Sequence, residues 1–485
     1  MNMPLPRLYL SAAHKSSGKT TITVGLCAAL RAKSLVVQAF KKGPDYIDPI
    51  WLGMASGRDC YNLDFHTMGH AEIQEVFLRE STHGDINLIE GNKGLYDGVD
   101  IKGSNSNAAL AQLLRTPVVL IIDTRGITRG VVPLLLGYQA FEPKVEIAGV
   151  LLNYVGGSRH EGKLRAAIEH YTDLPLLGAI PHDTGIEVPE RHLGLVPGNE
   201  FGRSAAFIDR AAEIMEANVA LDRLLEIAGA APPLAPASPL FDPMGVGDSL
   251  SDANSNSDFA GKAPIRIGIP RDSAFGFYYP GDLMALRRAG AELVFFDTLS
   301  ASTLPSVNAL FIGGGFPEAH MEALEANTAL RRSIRRAIEN GMPVYAECGG
   351  LMYLTRGISW RGKKCEMVGA IPAETMMHQR PQGRGYVVLR ETGKGPWNLS
   401  PEGKCAEIEA HEFHHSSIAI SEPGEEFEYA YEVLRGHGIN GQHDGIVYRN
   451  LLASFSHLRD VDGNHWTERF VKYISRSFSG PKPYL

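Results

Sequence analysis

A cysteine and a histidine that are far apart in the chain could together form a nucleophilic site. The apolar run Pro343–Ala346 leads into Glu347 and Cys348, which are followed by Gly349 and Gly350. This order predicts a sharp strand-to-helix turn, which exposes a nucleophile at the amino end of a helix and favours its thiolate. His457, just after the run LLASFS, could supply the base. We therefore predict a nucleophilic thiol here rather than a small buried cysteine.

Glycine-rich turns could supply the backbone N–H groups that stabilise a negatively charged oxygen during acyl transfer. The run ALFIGGGFP contains three consecutive glycines, of which Gly314 and Gly315 are the second and third. Glycine allows the backbone to approach a ligand closely. We therefore expect these two residues and Gly349, which follows the cysteine, to form an oxyanion hole.

A second group of residues has the pattern of a phosphate-binding loop. The segment SAAHKSSGKTT follows an apolar run, precedes a helix-like stretch and contains Gly18, Lys19 and Thr20. In such loops backbone N–H groups and the lysine bind phosphate, and the threonine hydroxyl binds Mg²⁺. The complete pattern would have glycine where this chain has Ala13. A Ser-rich helix N-cap is the alternative, but the strand–loop–helix context favours a nucleotide site that includes Thr21.

Acidic residues at strand ends could bind the metal ion that accompanies a nucleotide. Asp45 and Asp48 lie in KKGPDYIDP. Glu90 ends the apolar run of INLIEGNKGLYDG, which also contains Asp97. A carboxylate at the end of a buried strand is where phosphoryl-transfer enzymes hold Mg²⁺. Each aspartate alone could be a turn cap, but their clustering near a phosphate loop favours a binding role.

The segment HEFHH, His411–His415, matches the H-E-x-x-H pattern of zinc proteases. That chemistry needs a helix, because histidines four residues apart share a helical face. The surrounding CAEIEAHEFHHSSIAI alternates as a strand does, and in a strand residues four apart are about 13 Å distant. We therefore predict a strand here and no zinc site.

The elements that must position these residues are predicted to form two α/β units. Continuous apolar runs are typical of strands buried on both faces of a parallel sheet. In the first half such runs are Arg7–Ala13, Leu35–Lys41, Ile86–Glu90, Pro117–Asp123, Ile147–Asn153 and Pro175–Pro181, with helix-like stretches at Thr20–Ala32 and Asn107–Leu114. The pattern restarts at Ile265–Ile269, Leu293–Phe296, Ala309–Ile312 and Pro343–Ala346, and beyond Val368 alternating runs predict an antiparallel element.

Between the halves, residues 228–264 are rich in Pro, Ala, Ser, Gly and Asp. Such a composition cannot bury enough apolar surface to fold and is typical of a flexible linker. We therefore predict one domain over residues 1–227, a linker over 228–264 and a second domain over 265–485.

Composition excludes several functional classes. The 485 residues, 44% of them hydrophobic, are enough for more than one packed core. The net charge of −8 disfavours nucleic-acid and anionic-membrane partners. Five widely spaced cysteines without a C-x-x-C pair indicate a reducing, cytoplasmic environment. No apolar run reaches about 18 residues, so we expect no membrane span.

Taken together, these motifs resemble the cobyrinic acid a,c-diamide synthase family over nearly the full length of the chain. The matching segments, in the family's order, are SSGKTT, KKGPDYIDP, IEGNKGLYDG, AFGFYYPGDLMALRRAGAEL, GGGFPEAH, AECGGLMYL, HEFHHS and ASFSHL. The resemblance implies a P-loop, dethiobiotin-synthetase-like parallel-sheet domain that uses ATP. It also implies a class I glutamine amidotransferase-like α/β domain after the linker.

The same resemblance implies a role for each candidate residue. Cys348 would form a thioester with glutamine, and His457 would act as its base. The implied ATP-binding residues are Gly18, Lys19, Thr20, Thr21 and Asn153, the implied Mg²⁺ ligands are Thr20, Asp48 and Glu90, and the implied neighbours of the tetrapyrrole carboxylate are Asp45, Tyr46 and Asp97. In the implied reaction ATP phosphorylates acetate side chains of the tetrapyrrole, and ammonia from glutamine displaces the phosphate.

Three pairs of residues near the synthetase site depart from the family's usual pattern: Ala13 with Ser16, Trp51 with Leu52, and Asn92 with Lys93. These variants are similar to the branch proposed to amidate sirohaem, so sirohaem or sirohydrochlorin is an alternative substrate. In the glutaminase half, Arg459 stands where class I glutaminases usually have a glutamate. The residue that orients His457 is therefore left unassigned.

Two further hypotheses explain part of the sequence. A nucleotide-switch scaffold of the chromosome-partitioning type would share the phosphate loop but would not need Cys348. An amidotransferase acting on another acid, such as a cell-wall precursor, would share both sites. The sequence leaves open which tetrapyrrole is bound, how many carboxylates are amidated and whether the chain forms a homodimer.

Overall fold

The computed structural model describes residues 5–186, 190–191, 194–235, 264–398, 406–420 and 427–478. The chain divides into two compact units, Met1–Gly247 and Asp248–Leu485. Most of the predicted linker lies outside the described residues. Its first residues, Ala228 and Gly229, belong to a helix of the first unit, and Leu234 is buried. The described part of this unit therefore continues past residue 227, to residue 235.

The first unit contains a parallel sheet flanked by helices. Its strands are β1 (Arg7–Ala12), β2 (Val37–Lys42), β3 (Tyr61–Leu63), β4 (Ile86–Gly94), β5 (Val118–Asp123), β6 (Ile147–Val155), β7 (Leu176–Pro181), β8 (Glu190–Arg191) and β9 (Gly194–Leu195). Its α-helices are α1 (Lys19–Ala32), α2 (Ile47–Ser56), α3 (His70–Ser81), α4 (Asn107–Leu113), α5 (Val131–Phe141), α6 (Ser158–Tyr171), α7 (Ser204–Asn218) and α8 (Leu221–Gly229).

All pairings in the main sheet of this unit are parallel, in the order β3-β2-β4-β1-β5-β6-β7. The six apolar runs predicted as strands are thus confirmed, and β3 is a short additional edge strand. The chain leaves β1 towards β2 on one side and later returns to β5 on the other. A change of direction of this kind opens a crevice at the carboxyl ends of the strands, where ligands bind in such sheets.

Helix α1 covers this sheet and connects the phosphate loop to the core. It packs against α2 and α7, and its buried side includes Ile22, Leu26 and Leu30. Gly25 is required in this packing, because a Cβ atom there would lie 2.7 Å from Cγ of Met215 in α7. A rigid α1 fixes the position of its own first turn at the crevice.

The second unit begins with parallel strands and continues with antiparallel ones. Its strands are β10 (Ile265–Pro270), β11 (Phe275–Phe277), β12 (Ala291–Phe296), β13 (Ala309–Ile312), β14 (Gly314–Gly315), β15 (Val344–Glu347), β16 (Gly357–Trp360), β17 (Lys363–Glu366), β18 (Ala373–Met377), β19 (Gly383–Glu391), β20 (Glu407–His414), β21 (Ser416–Ile420), β22 (Glu428–Arg435), β23 (His443–Tyr448) and β24 (Leu451–Ser454). Its α-helices are α9 (Pro280–Arg288), α10 (Met321–Ala326), α11 (Thr328–Glu339), α12 (Gly349–Leu354) and α13 (Trp466–Phe478).

The main sheet of the second unit has the order β12-β10-β13-β15-β24-β23-β22-β19-β20. In this sheet order the first five strands, β12, β10, β13, β15 and β24, pair in parallel. The remaining pairs are antiparallel. The predicted change to an antiparallel element after Val368 is therefore confirmed, as is the α/β class of both units. Strand β15 lies between β13 and β24, so residues at its carboxyl end are close to both neighbouring strand ends.

Separate apolar clusters cover the two faces of this sheet. One cluster contains Ile334 and Leu351, and the other contains Tyr345 and Trp466. Phe311 and Tyr345 stack with ring centroids 5.5 Å apart, and Trp466 lies 4.8 Å from Tyr345. These aromatic contacts pack against the face of β15 from which the Tyr345 side chain projects. Among the described residues of both units, no helix is long and apolar enough to cross a bilayer.

Candidate active sites

The phosphate loop is built around Gly18, the residue before α1. Gly18 has φ +81°, a left-handed conformation that L-residues with side chains rarely adopt. A Cβ atom on it would lie 2.2 Å from Nδ2 of Asn153. Asn153, on β6, donates a 2.9 Å hydrogen bond from Nδ2 to the carbonyl oxygen of Ser17. Asn153 therefore holds the loop itself, a contact separate from the ATP-binding role that the family resemblance implies.

Lys19 is the first residue of α1, and its side chain turns back into the loop. Its Nζ lies 3.5 Å from the carbonyl oxygen of His14. Burial and the charge of Lys41 lower the pKa of Lys19 to about 8, against the pull of nearby carboxylates. A phosphate beside Lys19 would favour its charged form, because an opposite charge raises the pKa of a lysine.

Thr20, Asp48 and Glu90 meet at the carboxyl edge of the sheet. Oγ1 of Thr20 lies 3.2 Å from Oδ2 of Asp48 and 3.0 Å from Oε1 of Glu90. Asp48 is in the first turn of α2, and Glu90 is in β4. The structure thus brings together the three side chains that the family resemblance implied as metal ligands.

The chemistry of this group fits Mg²⁺, which prefers hard oxygen donors. Oε2 of the fully buried Glu90 has no hydrogen-bond partner, and a cation would satisfy it. Within the described ranges, no three or more His, Cys, Asp and Glu side chains are grouped to hold a metal ion. A cation here would therefore take further ligands from phosphate and water, as Mg²⁺ does beside nucleotides.

Lys41 is a member of this site that the sequence analysis missed. Its Nζ lies 2.5 Å from Oδ2 of Asp48 and 2.5 Å from Oε1 of Glu90. Burial opposes its charge, but these two carboxylates outweigh burial and hold the pKa of Lys41 well above its usual value. The ammonium group shares the oxygens that a metal ion would use. The signal in the sequence was the first of two adjacent lysines, Lys41 and Lys42, that end a mostly apolar run before Gly43.

Two of the residues implied near the substrate carboxylate also make structural contacts. Oδ1 of Asp45 accepts the N–H groups two and three residues further on, at 2.9 and 3.1 Å, and so caps the start of α2. Burial and the charge of Asp48 raise the pKa of Asp45 to about 7. Oδ2 of Asp97 accepts the N–H of Gly94 at 3.0 Å. Tyr46 immediately precedes α2.

A cleft of about 640 Å³ in the first unit joins most of these residues into one site, but Tyr46, Glu90 and Asp97 are not among the residues that line it. The predicted residues that line it are Gly18, Lys19, Thr20, Thr21, Asp45, Asp48 and Asn153. Another part of its wall is aromatic and basic. The guanidinium carbon of Arg125 lies 4.3 Å from the ring centroid of Tyr154, and the ring of His182 lies 5.7 Å from that of Tyr154. Flat groups of this kind can stack on a nucleobase.

Two of the departures from the family pattern have different environments. Trp51 is fully buried, donates from Nε1 to the carbonyl oxygen of Val196 at 3.0 Å and packs on Phe207. It is therefore a core residue of α2. Asn92 lines the cleft, and its Oδ1 lies 3.4 Å from Nζ of Lys42. Burial lowers the pKa of Lys42 to about 8.

In the second unit, Cys348 stands at the turn between β15 and α12. It has φ +47° and ψ −102°, a strained conformation for a residue with a side chain. Its N–H donates to the carbonyl oxygen of Ser454 at 2.7 Å, and its Sγ lies 3.9 Å from the carbonyl oxygen of Phe413. The strand-to-helix turn predicted at Cys348 is confirmed, and strain of this kind is typical of functional positions.

Two glycine turns lie beside this cysteine. Gly314 and Gly315 form β14, which pairs with β11. A Cβ atom on Gly349 would lie 2.9 Å from the backbone nitrogen of Gly315, so the two turns meet backbone to backbone. A Cβ atom on Gly314 would lie 2.9 Å from Cε1 of His457. The three glycines expected to form an oxyanion hole therefore surround the region between Cys348 and His457.

His457 is buried, and its imidazole contacts a carboxylate that the sequence analysis did not assign. Nδ1 of His457 lies 3.1 Å from Oε2 of Glu347, the residue before Cys348. Burial opposes the charged imidazole, but interactions with Cys348 and Glu347 outweigh burial and raise the pKa of His457 to about 10. The signal was present in the motif AECGG, where a charged residue ends an otherwise apolar strand.

The HEFHH segment lies in β20, which ends at His414, so the strand prediction is confirmed. His411 faces the Cys348–His457 site, and its ring stacks on His457 with centroids 5.0 Å apart and planes 16° apart. The ring of His414 instead stacks on Phe455 at 3.8 Å. His411 and His414 therefore have separate neighbours and separate surroundings.

A phosphate-loop unit followed by a unit with a cysteine at a strand–helix turn is the architecture of a glutamine-dependent amidotransferase ligase. Residues 12–196 match the family described as CobQ/CobB/MinD/ParA nucleotide binding domain. Residues 266–462 match the family described as CobB/CobQ-like glutamine amidotransferase domain. The nucleotide-binding and amidotransferase halves expected from the sequence are thus confirmed.

Full-length relatives narrow this class further. A cobyrinate a,c-diamide synthase of Magnetococcus marinus is 45% identical over 98% of this chain and 99% of the relative. Those of Methanosarcina acetivorans and Archaeoglobus fulgidus are 42% and 38% identical, over 94% and 97% of this chain and 93% and 98% of the relatives. The chain belongs to the cobyrinate a,c-diamide synthase family.

Proposed function

We propose that this protein uses ATP and glutamine to convert the a and c acetate carboxylates of cobyrinate, a tetrapyrrole, into amides. The observation that carries the proposal is the strained Cys348 beside His457, in a chain that also contains the Lys19–Thr20 phosphate loop. The printed names of the relatives support the substrate class.

The second unit would release ammonia from glutamine. The thiolate of Cys348 attacks the side-chain amide carbon, and the bond between sulfur and carbon forms as the carbonyl oxygen becomes negative. The N–H groups of Gly315 and Gly349 would stabilise that oxygen. His457 gives a proton to the departing nitrogen, and a thioester remains. His457 then takes a proton from water, which attacks the thioester and releases glutamate.

The first unit would activate the carboxylate. A carboxylate is a poor electrophile, and transfer of the γ-phosphoryl group of ATP to it gives a reactive acyl phosphate. Lys19 would neutralise charge that develops on the transferred group, and Asn153 would keep the loop closed on the phosphates. Mg²⁺ held by Thr20, Asp48 and Glu90 would supply further charge neutralisation. Ammonia then displaces phosphate and leaves the amide.

Replacing Cys348 separates the two half-reactions. Cys348→Ala removes the nucleophile, so glutamine-dependent amide formation should fall by about 10³-fold or more. Amide formation from high concentrations of ammonium chloride should continue at near the native rate, because the first unit is unchanged. Both rates are measured as ADP release and as amide product by mass spectrometry. Full glutamine-dependent activity in the variant would refute the proposed nucleophile.

Sirohaem or sirohydrochlorin is the second candidate substrate, because Asn92, one of the residues that depart from the family pattern, lines the cleft and contacts Lys42. Purified enzyme should be offered cobyrinate, sirohydrochlorin and sirohaem in parallel, each with ATP and glutamine. Exchange of a carboxyl OH for NH₂ lowers the product mass by about one unit per amide, which gives the number of amidations. Turnover of cobyrinate with two amides formed supports the first candidate. Turnover of only a sirohaem-type substrate supports the second.

A further inference from the structure

Glu347 is a buried carboxylate placed directly before Cys348 at the end of β15. Only 2% of the residue is exposed. A charged group in such a position is costly unless hydrogen bonds or opposite charge compensate for the lost hydration. Hydrogen-bond partners of Glu347 must therefore compensate for the hydration that the carboxylate loses on burial.

Three donors surround the carboxylate. Oε1 accepts hydrogen bonds from the hydroxyl of Tyr345 at 2.6 Å and from the N–H of Leu458 at 3.0 Å. Oε2 lies 3.1 Å from Nδ1 of His457. The first two contacts hold one oxygen in place, and the other oxygen is then directed at the imidazole. The Glu347 carboxylate is thus held in place by groups other than His457, and it can in turn orient the imidazole.

The sheet explains how these groups meet. Side chains two residues apart in a strand point to the same face, so Tyr345 and Glu347 lie on one side of β15. Strand β24 pairs with β15 in parallel, with Glu347 opposite Ser454. His457 follows the end of β24 by three residues, which brings its ring to the carboxylate.

Besides the contact of its Nδ1 atom with Glu347, the His457 imidazole has a neighbour stacked on its ring. The ring of His411, from β20, stacks on His457, and the backbones of the two residues exchange hydrogen bonds at 2.8 and 3.4 Å. The hydroxyl of Tyr279 lies 3.4 Å from Nε2 of His411. The guanidinium of Arg459 lies 4.5 Å from the Tyr279 ring centroid. The titratable and charged groups described around His457 and its carboxylate partner include Glu347, Cys348, Tyr345, His411, Tyr279 and Arg459. They also include Tyr278 and Asp282, which interact electrostatically with Glu347.

We propose that Glu347 is the positioning residue of the glutaminase site and orients His457 towards Cys348. The proposal rests on the proposed glutaminase function. Glu347 acts through His457 and does not touch glutamine. The sequence left the residue that orients His457 unassigned, because Arg459 stands where class I glutaminases usually have a glutamate. Glu347 fills that role.

Glu347→Gln tests the proposal with almost no change in shape. An amide has one accepting oxygen for the three donors that the carboxylate serves. If that oxygen pairs with Leu458, the NH₂ group faces Nδ1 of His457 and opposes its protonated form. We expect the glutamine-dependent kcat to fall by about 100-fold or more, since loss of the acid in a catalytic triad has effects of that order or larger. Ammonia-dependent amide formation should stay within about twofold of native.

The pH dependence supplies a readout that a purely structural role would not change. In the native protein the protonated His457 is present below about pH 10 and is lost as the pH rises through that value. Without the neighbouring negative charge the pKa of His457 must fall, so this transition moves to lower pH. The rate of alkylation of Cys348 by iodoacetamide, followed by peptide mass spectrometry across pH 6–11, should show the shift without any need for turnover.

Two matched variants serve as controls. Tyr345→Phe removes one hydrogen bond to Glu347 but leaves the charge, so it should reduce kcat far less and leave the transition in place. Glu391→Gln changes another buried glutamate, 4% exposed in β19, outside this site. It should keep native glutaminase activity. Cooperative thermal unfolding of Glu347→Gln shows that the variant is folded.

The outcomes distinguish this proposal from the proposed function. Native kcat and an unshifted alkylation profile in folded Glu347→Gln, with Cys348→Ala inactive towards glutamine, would overturn the positioning role alone. An active Cys348→Ala variant would overturn the glutaminase assignment as a whole. A large loss of kcat with an unshifted alkylation profile would also overturn the role proposed for Glu347.

Discussion

Gly18 and Asn153 form the tightest contact of the phosphate loop. The backbone of Gly18 is left-handed, and Asn153 occupies the space where a Cβ atom would be. Both constraints act on a loop whose N–H groups must face phosphate oxygens. The loop is thus set by one residue without a side chain and one strand residue that reaches across to it.

Gly18→Ala should weaken nucleotide binding by at least about tenfold. Two costs combine, a left-handed alanine at roughly 1–2 kcal/mol and displacement of Asn153 from Ser17. Titration with a non-hydrolysable ATP analogue in the presence of Mg²⁺ measures the loss. The double variant Gly18→Ala with Asn153→Ala separates the costs, because it removes the collision and keeps the backbone strain. Unchanged affinity in the single variant would contradict this account of the loop.

Lys41 and the acidic residues Asp48 and Glu90 form a charge cluster that a metal ion would have to enter. Lys41→Met should leave the fully buried Glu90 and the partly buried Asp48 without their cation. An unpaired buried charge is strongly destabilising, by roughly 3–5 kcal/mol. The free energy of unfolding should therefore fall without Mg²⁺ and recover in part when Mg²⁺ is added. Denaturant unfolding at several Mg²⁺ concentrations measures both effects, and an equal loss with and without Mg²⁺ would argue against a metal at this position.

Helix α2 connects the core to the candidate metal ligands. Asp48 lies in its first turn, and Trp51, one turn later, is fully buried against Phe207 and bonded to the carbonyl of Val196. The position of Asp48 therefore depends on how the indole is packed.

Trp51→Ala should cost roughly 3–5 kcal/mol in the free energy of unfolding, because it leaves a cavity and an unpaired carbonyl. ATP turnover of the folded fraction should also fall as α2 shifts. Met54→Ala on the same helix is the matched control, since Met54 is 38% exposed. Met54→Ala should lower the free energy of unfolding by under about 1 kcal/mol. Equal losses of stability in both variants would show that the indole is not the anchor of α2.

The elements were largely predictable from apolar periodicity, and the contacts between distant elements were not. Runs such as Ile86–Glu90 identify strands because burial on both faces needs continuous apolar residues. The strand-to-helix turn at Cys348 was predictable from the local sequence. Glu347 and Lys41 were missed because each appears in the sequence as the polar end of a strand, and their partners come from strands that are adjacent only in the folded sheet.

At the scale of the whole chain, the apolar clusters belong to one unit or the other. Among the described residues, one cluster in the first unit packs α1 and α7 against the sheet, and two clusters cover the sheet of the second unit. Each unit thus has its own core and one of the two candidate sites. This arrangement fits a protein that carries out two half-reactions with different chemistry.

A ligand of one site should therefore protect mainly its own unit. Mg²⁺ with a non-hydrolysable ATP analogue at 100 times its Kd should stabilise the first unit by about 2.7 kcal/mol. Hydrogen exchange followed by mass spectrometry resolves the two units by peptide. Slower exchange is expected in β1, α1 and β4, with little change in β15 and β24. Equal protection of both units would show that they unfold together.

The adjacency of Glu347 and Cys348 has a mechanical consequence. Cys348 and Glu347, the proposed nucleophile and the proposed anchor of His457, are joined by one peptide bond, so thermal motion of β15 carries both together. Only His457 is borne by a different strand end. The alignment of Glu347, Cys348 and His457 therefore depends on one motion, the sliding of β24 along β15. The hydrogen bonds between these neighbouring central strands resist that sliding directly. A catalytic site of this kind can remain aligned while the surrounding loops move.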